Sequence, residues 1–406
     1  MSMRIDAQRV VTGDGSVLEH GSVVIDGSAI SYVGDRADAP DAAETMVTET
    51  VMPGMWDTHT HFFGLERADL ETLVGIAPQT AVLRSIRDLS ALVDAGFTSV
   101  REVGGHGTYL AAAVESGLID GPTIYASGAP LSQTGGHGDL HGLPVDIADE
   151  TFDRHFGAPS VADGPDDCRR LVRRQLRLGA KVIKVCATGG VMSQVDRPDH
   201  QQFTDEELRA IVEEASRADR VVAAHCHGKS GIMAALRAGV RTIEHGSHLD
   251  SEAASAMVET GTILVPTRFV VEHLVQRGRE LSMPEYAYAK IQEIADRHLE
   301  ALQTAIAAGV TIALGTDIFF PATYGRNGEE LGHLVDAGMS PLDAIASATS
   351  IGPLTVGAQA PQTGRLTEGF DADVLCVDGD PTTDIGVLAK PSNVTTVFAR
   401  GRRLKG

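Results

Sequence analysis

Residues 51–61 read VMPGMWDTHTH, an apolar run that ends in two histidines, His59 and His61. The apolar part of this stretch, residues 51–57, predicts a strand. Side chains two residues apart on a strand point to the same side, so both histidines can present a nitrogen to one metal ion. Two solvated loop histidines would give the same motif, so its meaning depends on the rest of the chain.

The chain around this stretch alternates short apolar runs with amphipathic helical patterns. Strands are predicted at 51–57, 98–103, 123–127, 182–187, 220–224, 241–244, 262–265 and 311–314. Helices are predicted at 80–95, 166–178, 205–218, 231–238, 251–260 and 284–308. This alternation is typical of a parallel sheet, and eight strands over about 300 residues predict an α/β fold, a (β/α)8 TIM barrel. An open doubly wound sheet is the alternative, although no GxGxxG motif opens a first helix.

Both ends of the chain have a different character, in which short strands are separated by turns. Asp26-Gly27 is a hairpin signal near the start, and a turn at 378–381 lies between two strand patterns near the end. Neither end has enough strands to be stable alone. We therefore predict that residues 1–54 and 356–406 form one small β-sandwich domain, and that residues 55–355 form the barrel.

Further polar residues stand where predicted strands end. His225 and His245 each follow an apolar run, and Asp317 follows the last predicted strand. A polar loop residue would explain any one of them. Active sites of barrels gather at the C-terminal ends of the strands. The shared position therefore predicts a single site that also contains the two histidines of the first stretch.

Lys184 lies in the middle of the apolar strand pattern Val182–Cys186. A buried ammonium is costly, and burial lowers the pKa of a lysine. A neutral amine can react with CO₂ to give a carbamate, which carries two oxygens and suits bridging two metal ions. A snorkelling or ion-paired lysine is the alternative. Imidazoles, a carboxylate and a carbamate together suit Zn²⁺, or Mn²⁺ or Co²⁺.

This arrangement resembles the amidohydrolase superfamily over essentially the whole chain. The residues that match the family's ligand order are His59, His61, Lys184, His225, His245 and Asp317. A closer likeness is to the branch of Xaa-Pro dipeptidases and imidazolonepropionase-related enzymes. The segments that carry it are TGGHG at 134–138, IK at 183–184 with GGVMS at 189–193, IEHG at 243–246 and GTD at 315–317. Members of this branch typically carry two divalent metals and cleave dipeptides or N-acyl amino acids.

The resemblance implies a metal-dependent amidohydrolase with a carboxylated lysine and two divalent ions, Zn²⁺ by preference. The more buried ion is assigned to His59, His61 and Asp317, the second to His225 and His245, and the bridge to Lys184. A hydroxide between the ions is expected to attack the carbonyl of a dipeptide, an N-acyl amino acid or a related small amide. Asp317 is expected to accept its proton and pass it to the leaving nitrogen.

Three further residues are predicted to touch the substrate. His137, in the TGGHG segment, is expected to donate to the developing oxyanion or to bind a substrate carboxylate. His227 projects to the same side as His225, and Tyr324 lies in the loop after the last predicted strand. Each of the three could instead be a solvated loop residue.

Composition narrows the class of partner and the compartment. The 406 residues include 34 Lys plus Arg against 55 Asp plus Glu, a net charge of −21. So acidic a chain does not suit binding to nucleic acid or to anionic lipid. The four cysteines show no metal or disulfide spacing. With no secretory pattern and no long apolar stretch, we expect a soluble cytoplasmic protein, and a homo-oligomer is expected because closed symmetric assemblies are common.

Other functions stay open at this level. A mycotoxin or xenobiotic amide or carbamate could be hydrolysed on the same site, because relatives of the branch act on such compounds. A non-catalytic assembly protein of the same fold would have lost ligands, whereas this chain keeps all of them. A deaminase with one metal has no need of a bridging lysine, which argues against that reading.

Overall fold

The computed structural model describes residues 2–148, 157–281, 283–320 and 322–406. The strands are β1 Ser2–Val11, β2 Val17–Glu19, β3 Gly21–Asp26, β4 Ala29–Asp35, β5 Glu44–Pro53, β6 Met55–Phe62, β7 Phe97–Gly105, β8 Thr123–Ala126, β9 Leu131–Ser132, β10 Ser160–Val161, β11 Ile183–Cys186, β12 Val222–Cys226, β13 Thr242–His245, β14 Ile263–Val265, β15 Val374–Val377, β16 Val394–Ala399 and β17 Arg402–Lys405. The α-helices are α1 Pro78–Asp94, α2 Gly107–Glu115, α3 Pro165–Arg177, α4 Asp205–Ser216, α5 Lys229–Ala238, α6 Ser251–Thr260, α7 Arg268–Arg277, α8 Glu285–Ala308, α9 Glu329–Asp336 and α10 Pro341–Ala348.

The two ends of the chain share one eight-stranded sheet. Its order is β17-β16-β15-β5-β1-β3-β4, and β2 pairs with β1 at the side. β5 pairs in parallel with β1 and antiparallel with β15, so the start and the end of the chain meet along this strand. The predicted hairpin at Asp26-Gly27 joins β3 to β4. Apolar side chains of this sheet form a cluster of their own, in which Ile5, Val51 and Val374 are fully buried.

The middle of the chain forms parallel sheets with helices between the strands. One sheet has the order β6-β7-β8, and the other has the order β10-β9-β11-β12-β13-β14. Backbone hydrogen bonds connect them on both sides. Lys181 N donates to Ala126 O at 2.7 Å on one side, and Thr58 N donates to Leu314 O at 2.9 Å on the other.

The predicted strand at 311–314 is replaced by single bridges. Ile312 pairs with Leu264, and Ile318 pairs with Thr60, both in parallel. Asp317 has a φ of 57°, in the left-handed region, which interrupts a regular strand between these bridges. The segment therefore links two sheets without forming a continuous ladder.

Helices cover the parallel sheets, and the carboxyl ends of the strands that carry the predicted ligands share one edge. The helices bury apolar faces against the sheets; α4 begins with a capping box of Thr204 and Glu207 and buries Leu208 and Ile211. Because β6, β11, β12 and β13 run in parallel, their carboxyl ends lie at one edge. Within the described ranges, every helix is too short or too polar to traverse a bilayer.

Candidate metal centre

His59, His61 and Asp317 meet at the ends of β6 and of the segment that pairs with it. Asp317 Oδ1 lies 3.0 Å from His61 Nε2 and 3.4 Å from His59 Nε2. Lys184 Nζ, from β11, lies 3.4 Å from the same His59 nitrogen. His59 and Lys184 are buried. Two strands and one bridged segment, all distant in sequence, therefore bring four predicted ligands to one point.

A second group of imidazoles lies beside the first. The potential ligand atoms of His225, His227 and His245 all lie within 4.8 Å of one another, and all three residues are buried. His245 also belongs to a group with His59 and Asp317 that meets the same distance. The rings of His59 and His245 are 5.0 Å apart. The two groups thus form one continuous cluster, in which His245 stands between them.

Hydrogen bonds on the far side of each ring determine which nitrogen faces the cluster. His59 Nδ1 donates to a carboxylate oxygen of Glu244 at 2.7 Å, and His61 Nδ1 donates to Gly104 O at 2.8 Å. His225 uses Nε2, which donates to the carbonyl of Gly189 at 3.2 Å. Carbonyl and carboxylate oxygens only accept, so these ring nitrogens carry the proton. The free lone pairs are therefore on Nε2 of His59 and His61 and on Nδ1 of His225.

The charges of the site favour metal binding. Burial lowers the pKa of His59 to about 4 and holds the pKa of His225 and His245 well below its usual value, so the imidazoles are neutral. Burial alone would raise the pKa of Asp317, but His59, His61 and Lys184 lower it overall, so its carboxylate is ionised. Neutral imidazole and ionised carboxylate are the forms that bind divalent metals. The residues present therefore fit such ions.

Lys184 has the properties that carbamate formation requires. Its side chain is buried, and this burial lowers the pKa of its ammonium group. The neighbouring carboxylates of Glu244 and Asp317 oppose the shift without cancelling it. A larger fraction of the lysine is consequently a neutral amine, the form that can add CO₂.

The cluster opens into a cavity whose empty space, counted together with the open solvent at its mouth, is about 880 Å³. All six predicted ligands line it, together with His137 and His227. The rest of the wall is mainly apolar. The residues of this apolar wall are Phe63, Leu70, Val103, Pro130, Pro159, Val191, Met192, Val270, Val271, Leu274, Ile291, Ile294 and Phe319. A molecule in the cavity would meet the polar cluster at one end and apolar side chains around the remainder.

His137 lies directly over the cluster. Its ring stacks on that of His225 with 4.3 Å between centroids, and its Nδ1 lies 2.9 Å from Ser193 Oγ. Ser193 in turn donates to Asp196. Burial lowers the pKa of His137 to about 4, so the ring is neutral. His227, whose Nδ1 lies 2.7 Å from Ser247 Oγ, presents its other nitrogen to the same cavity.

Tyr324 occupies a different place. Its hydroxyl donates to the backbone carbonyl of His61, and its ring stacks on that of Phe62. Tyr324 is not one of the described residues that line the cavity. Its position is therefore behind β6, where it supports the backbone of a predicted ligand.

Sequence reasoning missed two residues beneath the cluster, Glu244 and Arg101. Both are fully buried; Arg101 Nη2 lies 2.8 Å from each carboxylate oxygen of Glu244. The signal that drew attention to Lys184, a charge inside an apolar strand, is also present at both positions. A buried charge requires a partner of opposite charge, so the same signal predicts an ion pair for each of these residues.

The comparisons with known proteins agree on one family. The Amidohydrolase family matches residues 50–404. The ochratoxinase of Aspergillus niger is 43% identical over 418 residues, which cover 99% of this chain and 86% of that protein. Its crystal structure has a TM-score of 0.93, at 42% identity, with 100% of this chain and 96% of that chain covered.

A prolidase crystallised with N-methylphosphonate-L-proline has a TM-score of 0.94 at 35% identity, with both chains covered completely. The imidazolonepropionase of Halobacterium salinarum is 26% identical over 428 residues, or 94% of this chain and 91% of that protein. The resemblance to this branch is thereby confirmed, and so is the prediction of a hydrolase that acts on carbon–nitrogen bonds. The chain belongs to the amidohydrolase family.

Proposed function

We propose that this protein is a binuclear metal-dependent amidohydrolase. The observation that carries the proposal is the convergence of six predicted ligands from five separate segments on one cavity. The free nitrogens of His59 and His61 point at the Asp317 carboxylate, which lies within 3.4 Å of both. Neutral imidazoles, an ionised carboxylate and a buried lysine that converge in this way suit divalent ions.

The residues divide between two ions as follows. His59, His61 and Asp317 would hold the first, and His225 and His245 the second, with carboxylated Lys184 between them. Divalent ions, Zn²⁺ by preference, would polarise the scissile carbonyl and make water more acidic. The lowered pKa of Lys184 and its 3.4 Å approach to His59 support its place as the bridge.

The chain's own residues would supply binding and proton transfer. Asp317 is the ionised carboxylate at the cluster, and it would take a proton from water and return it to the leaving nitrogen. His137 and His227 line the cavity above the cluster and would contact the substrate's polar atoms. Tyr324 would act through His61, whose backbone it holds.

The apolar wall supports a substrate with a bulky apolar group. We propose a dipeptide or N-acyl amino acid, in line with the prolidase and ochratoxinase among the relatives. Ochratoxin itself, or another mycotoxin or xenobiotic amide, is the second candidate, since the ochratoxinase is similar over nearly the whole chain. Burial of apolar groups contributes about 25 cal/mol per Å², so such a wall would discriminate strongly against small polar amides.

The architecture around the site belongs to the same proposal. The parallel strands and their connecting bridges would close as a (β/α)8 barrel over residues 55–355, and the terminal sheet would be a β-sandwich domain of 1–54 and 356–406. We also propose that the protein is cytoplasmic and that it forms a homo-oligomer. Its small-molecule partner would be an amide substrate.

Metal analysis and a substrate panel test this function together. Purified protein should hold about two ions per chain, as expected for a two-metal site. Lys184→Ala should lose metal and activity together, whereas Lys181→Ala, an exposed neighbour, should keep both. The panel should contain Xaa-Pro dipeptides, N-acyl amino acids with apolar and polar side chains, and ochratoxin. Less than one ion at saturating supply, or full activity of the Lys184 variant, would contradict the proposal.

A further inference from the structure

A buried ion pair lies directly beneath the proposed metal site. Arg101, on β7, and Glu244, on β13, are both fully buried, and Arg101 Nη2 lies 2.8 Å from both carboxylate oxygens of Glu244. Thr242 donates its hydroxyl hydrogen to the same carboxylate. Arg101 Nε also donates to Thr58 O at 2.6 Å, which ties the pair to the strand that carries His59.

Among the described atoms, the side chain of Glu244 makes one hydrogen bond to a predicted ligand, and this bond is short. Its Oε2 accepts from His59 Nδ1 at 2.7 Å. The guanidinium of Arg101, which is always charged, donates to both oxygens of Glu244 at 2.8 Å, so the acceptor is an ionised carboxylate. Hydrogen bonds to ionised acceptors are stronger than those between neutral groups.

The other imidazoles of the cluster have neutral partners. His61 and His225 donate to backbone carbonyls, and His245 lies 2.8 Å from the hydroxyl of Thr267. Among the predicted histidine ligands in the described ranges, only His59 has a carboxylate on the side of its ring that faces away from the cluster. A carboxylate behind a ligating histidine fixes its tautomer and makes the ring a better donor to metal.

We propose that the Arg101–Glu244 pair makes the two metal sites unequal, so that the ion held by His59, His61 and Asp317 binds more tightly than the ion held by His225 and His245. Glu244 is a positioning residue in this scheme, because it acts through His59 and touches neither substrate nor metal. Arg101 keeps Glu244 ionised and aligned. The inference rests on the proposed binuclear function.

Metal titration of the metal-free protein tests this inference without any measurement of activity. Co²⁺ is added while binding heat and visible absorption are recorded, and the wild type should bind two ions with different affinities. Glu244→Gln should weaken the tighter site about 10- to 100-fold, the usual range for the loss of such a partner. The weaker site should change by less than about threefold. Thr267→Val, which removes the partner of His245, should weaken the other site instead.

A second variant addresses folding. Glu244→Gln leaves the Arg101 charge buried without its partner, so the double variant Arg101→Met/Glu244→Gln removes both charges and should show the same selective loss. Equal weakening of both sites, or no change in either, would overturn the inference while the binuclear proposal stands. A wild type that binds one ion would refute the binuclear proposal. It would remove the inference as well, whereas two ions of equal affinity in the wild type would refute the inference alone.

Discussion

Glu102 is a buried acid whose charge works against the fold. It lies on β7, its Oε1 accepts from Gly107 N at 3.2 Å, and its Oε2 has no hydrogen-bond partner among the described atoms. Burial raises its pKa from the ordinary 4.5 to about 8. The folded protein thus prefers the protonated acid, whereas the unfolded chain ionises near 4.5. The contribution of the protonated Glu102 to the free energy of unfolding is therefore complete below about pH 4.5, and it is lost as the pH rises through about 8.

Glu102→Gln should therefore flatten the dependence of stability on pH. Between pH 5 and pH 8 the free energy of unfolding of the wild type should fall relative to the variant by at least about 1.4 kcal/mol, the equivalent of one pKa unit. Denaturant unfolding at several pH values measures this. Glu115→Gln, at an exposed position, is the matched control and should follow the wild type. Parallel curves for wild type and Glu102→Gln would contradict the prediction.

Residues that carry the proposed chemistry could be found in the sequence, but the contacts that support them could not. His59, His61 and Lys184 stand out because polar groups at strand ends or inside apolar runs are unusual. Glu244 contacts His59 across 185 positions, and Gly104 contributes only a backbone carbonyl. A contact of that kind depends on which strands become neighbours, and the sequence pattern of a single strand does not contain that information.

One lysine of a helix donates to three backbone carbonyls of a loop that lines the cavity. Lys290, on α8, donates through Nζ to the carbonyls of Gly190 at 3.0 Å, Ser193 at 2.7 Å and Asp196 at 2.5 Å. The loop 189–197 carries Val191 into the cavity wall, and Ser193 contacts His137. One ammonium group thus stabilises both an apolar face and a proposed substrate contact.

Lys290→Met should loosen this loop, because three backbone carbonyls lose their donor. An unsatisfied buried group costs about 1–3 kcal/mol, so we expect a drop of that order in the free energy of unfolding. The KM for a substrate should rise more than kcat falls, since the ligands themselves are untouched. Lys229→Met serves as control, because Lys229 pairs with Asp250 and Glu252 at the exposed surface. An unchanged KM in the Lys290 variant would show that the loop is positioned by other contacts.

Among the elements, strands were easier to predict than their interruptions. The strands at 98–103, 123–127 and 241–244 are present with small shifts of their ends. The segment 311–314 has an equally apolar sequence but forms single bridges, because Asp317 adopts a positive φ and the chain passes between two sheets. The local sequence pattern indicates whether a segment is buried. It does not indicate whether an adjacent strand pairs with that segment over its whole length.

At the scale of the whole molecule, the terminal sheet and the parallel sheets are joined without a linker. β5 ends at Pro53 and β6 begins at Met55, so only Gly54 separates them. Gly54 N donates to Asp373 O at 2.9 Å, which connects the junction to the end of the chain. A Cβ at Gly54 would lie 2.1 Å from Thr98 Oγ1, so the close approach of β7 requires glycine here. The sequence predicted that the two ends pair, but not how tightly they adjoin the site.

This junction predicts one cooperative unfolding transition for the whole chain. Trp56, the only tryptophan, is buried just inside β6 and stacks on Tyr125, so its fluorescence reports the parallel region. Far-ultraviolet circular dichroism reports both regions, and the two thermal curves should coincide. Gly54→Ala should lower both midpoints together, because overpacking costs about 1–3 kcal/mol. Gly75→Ala, where an added Cβ meets nothing, should match the wild type. Two separated transitions would mean that the sheets unfold independently, and that the ends do not help to hold His59 and His61 in place.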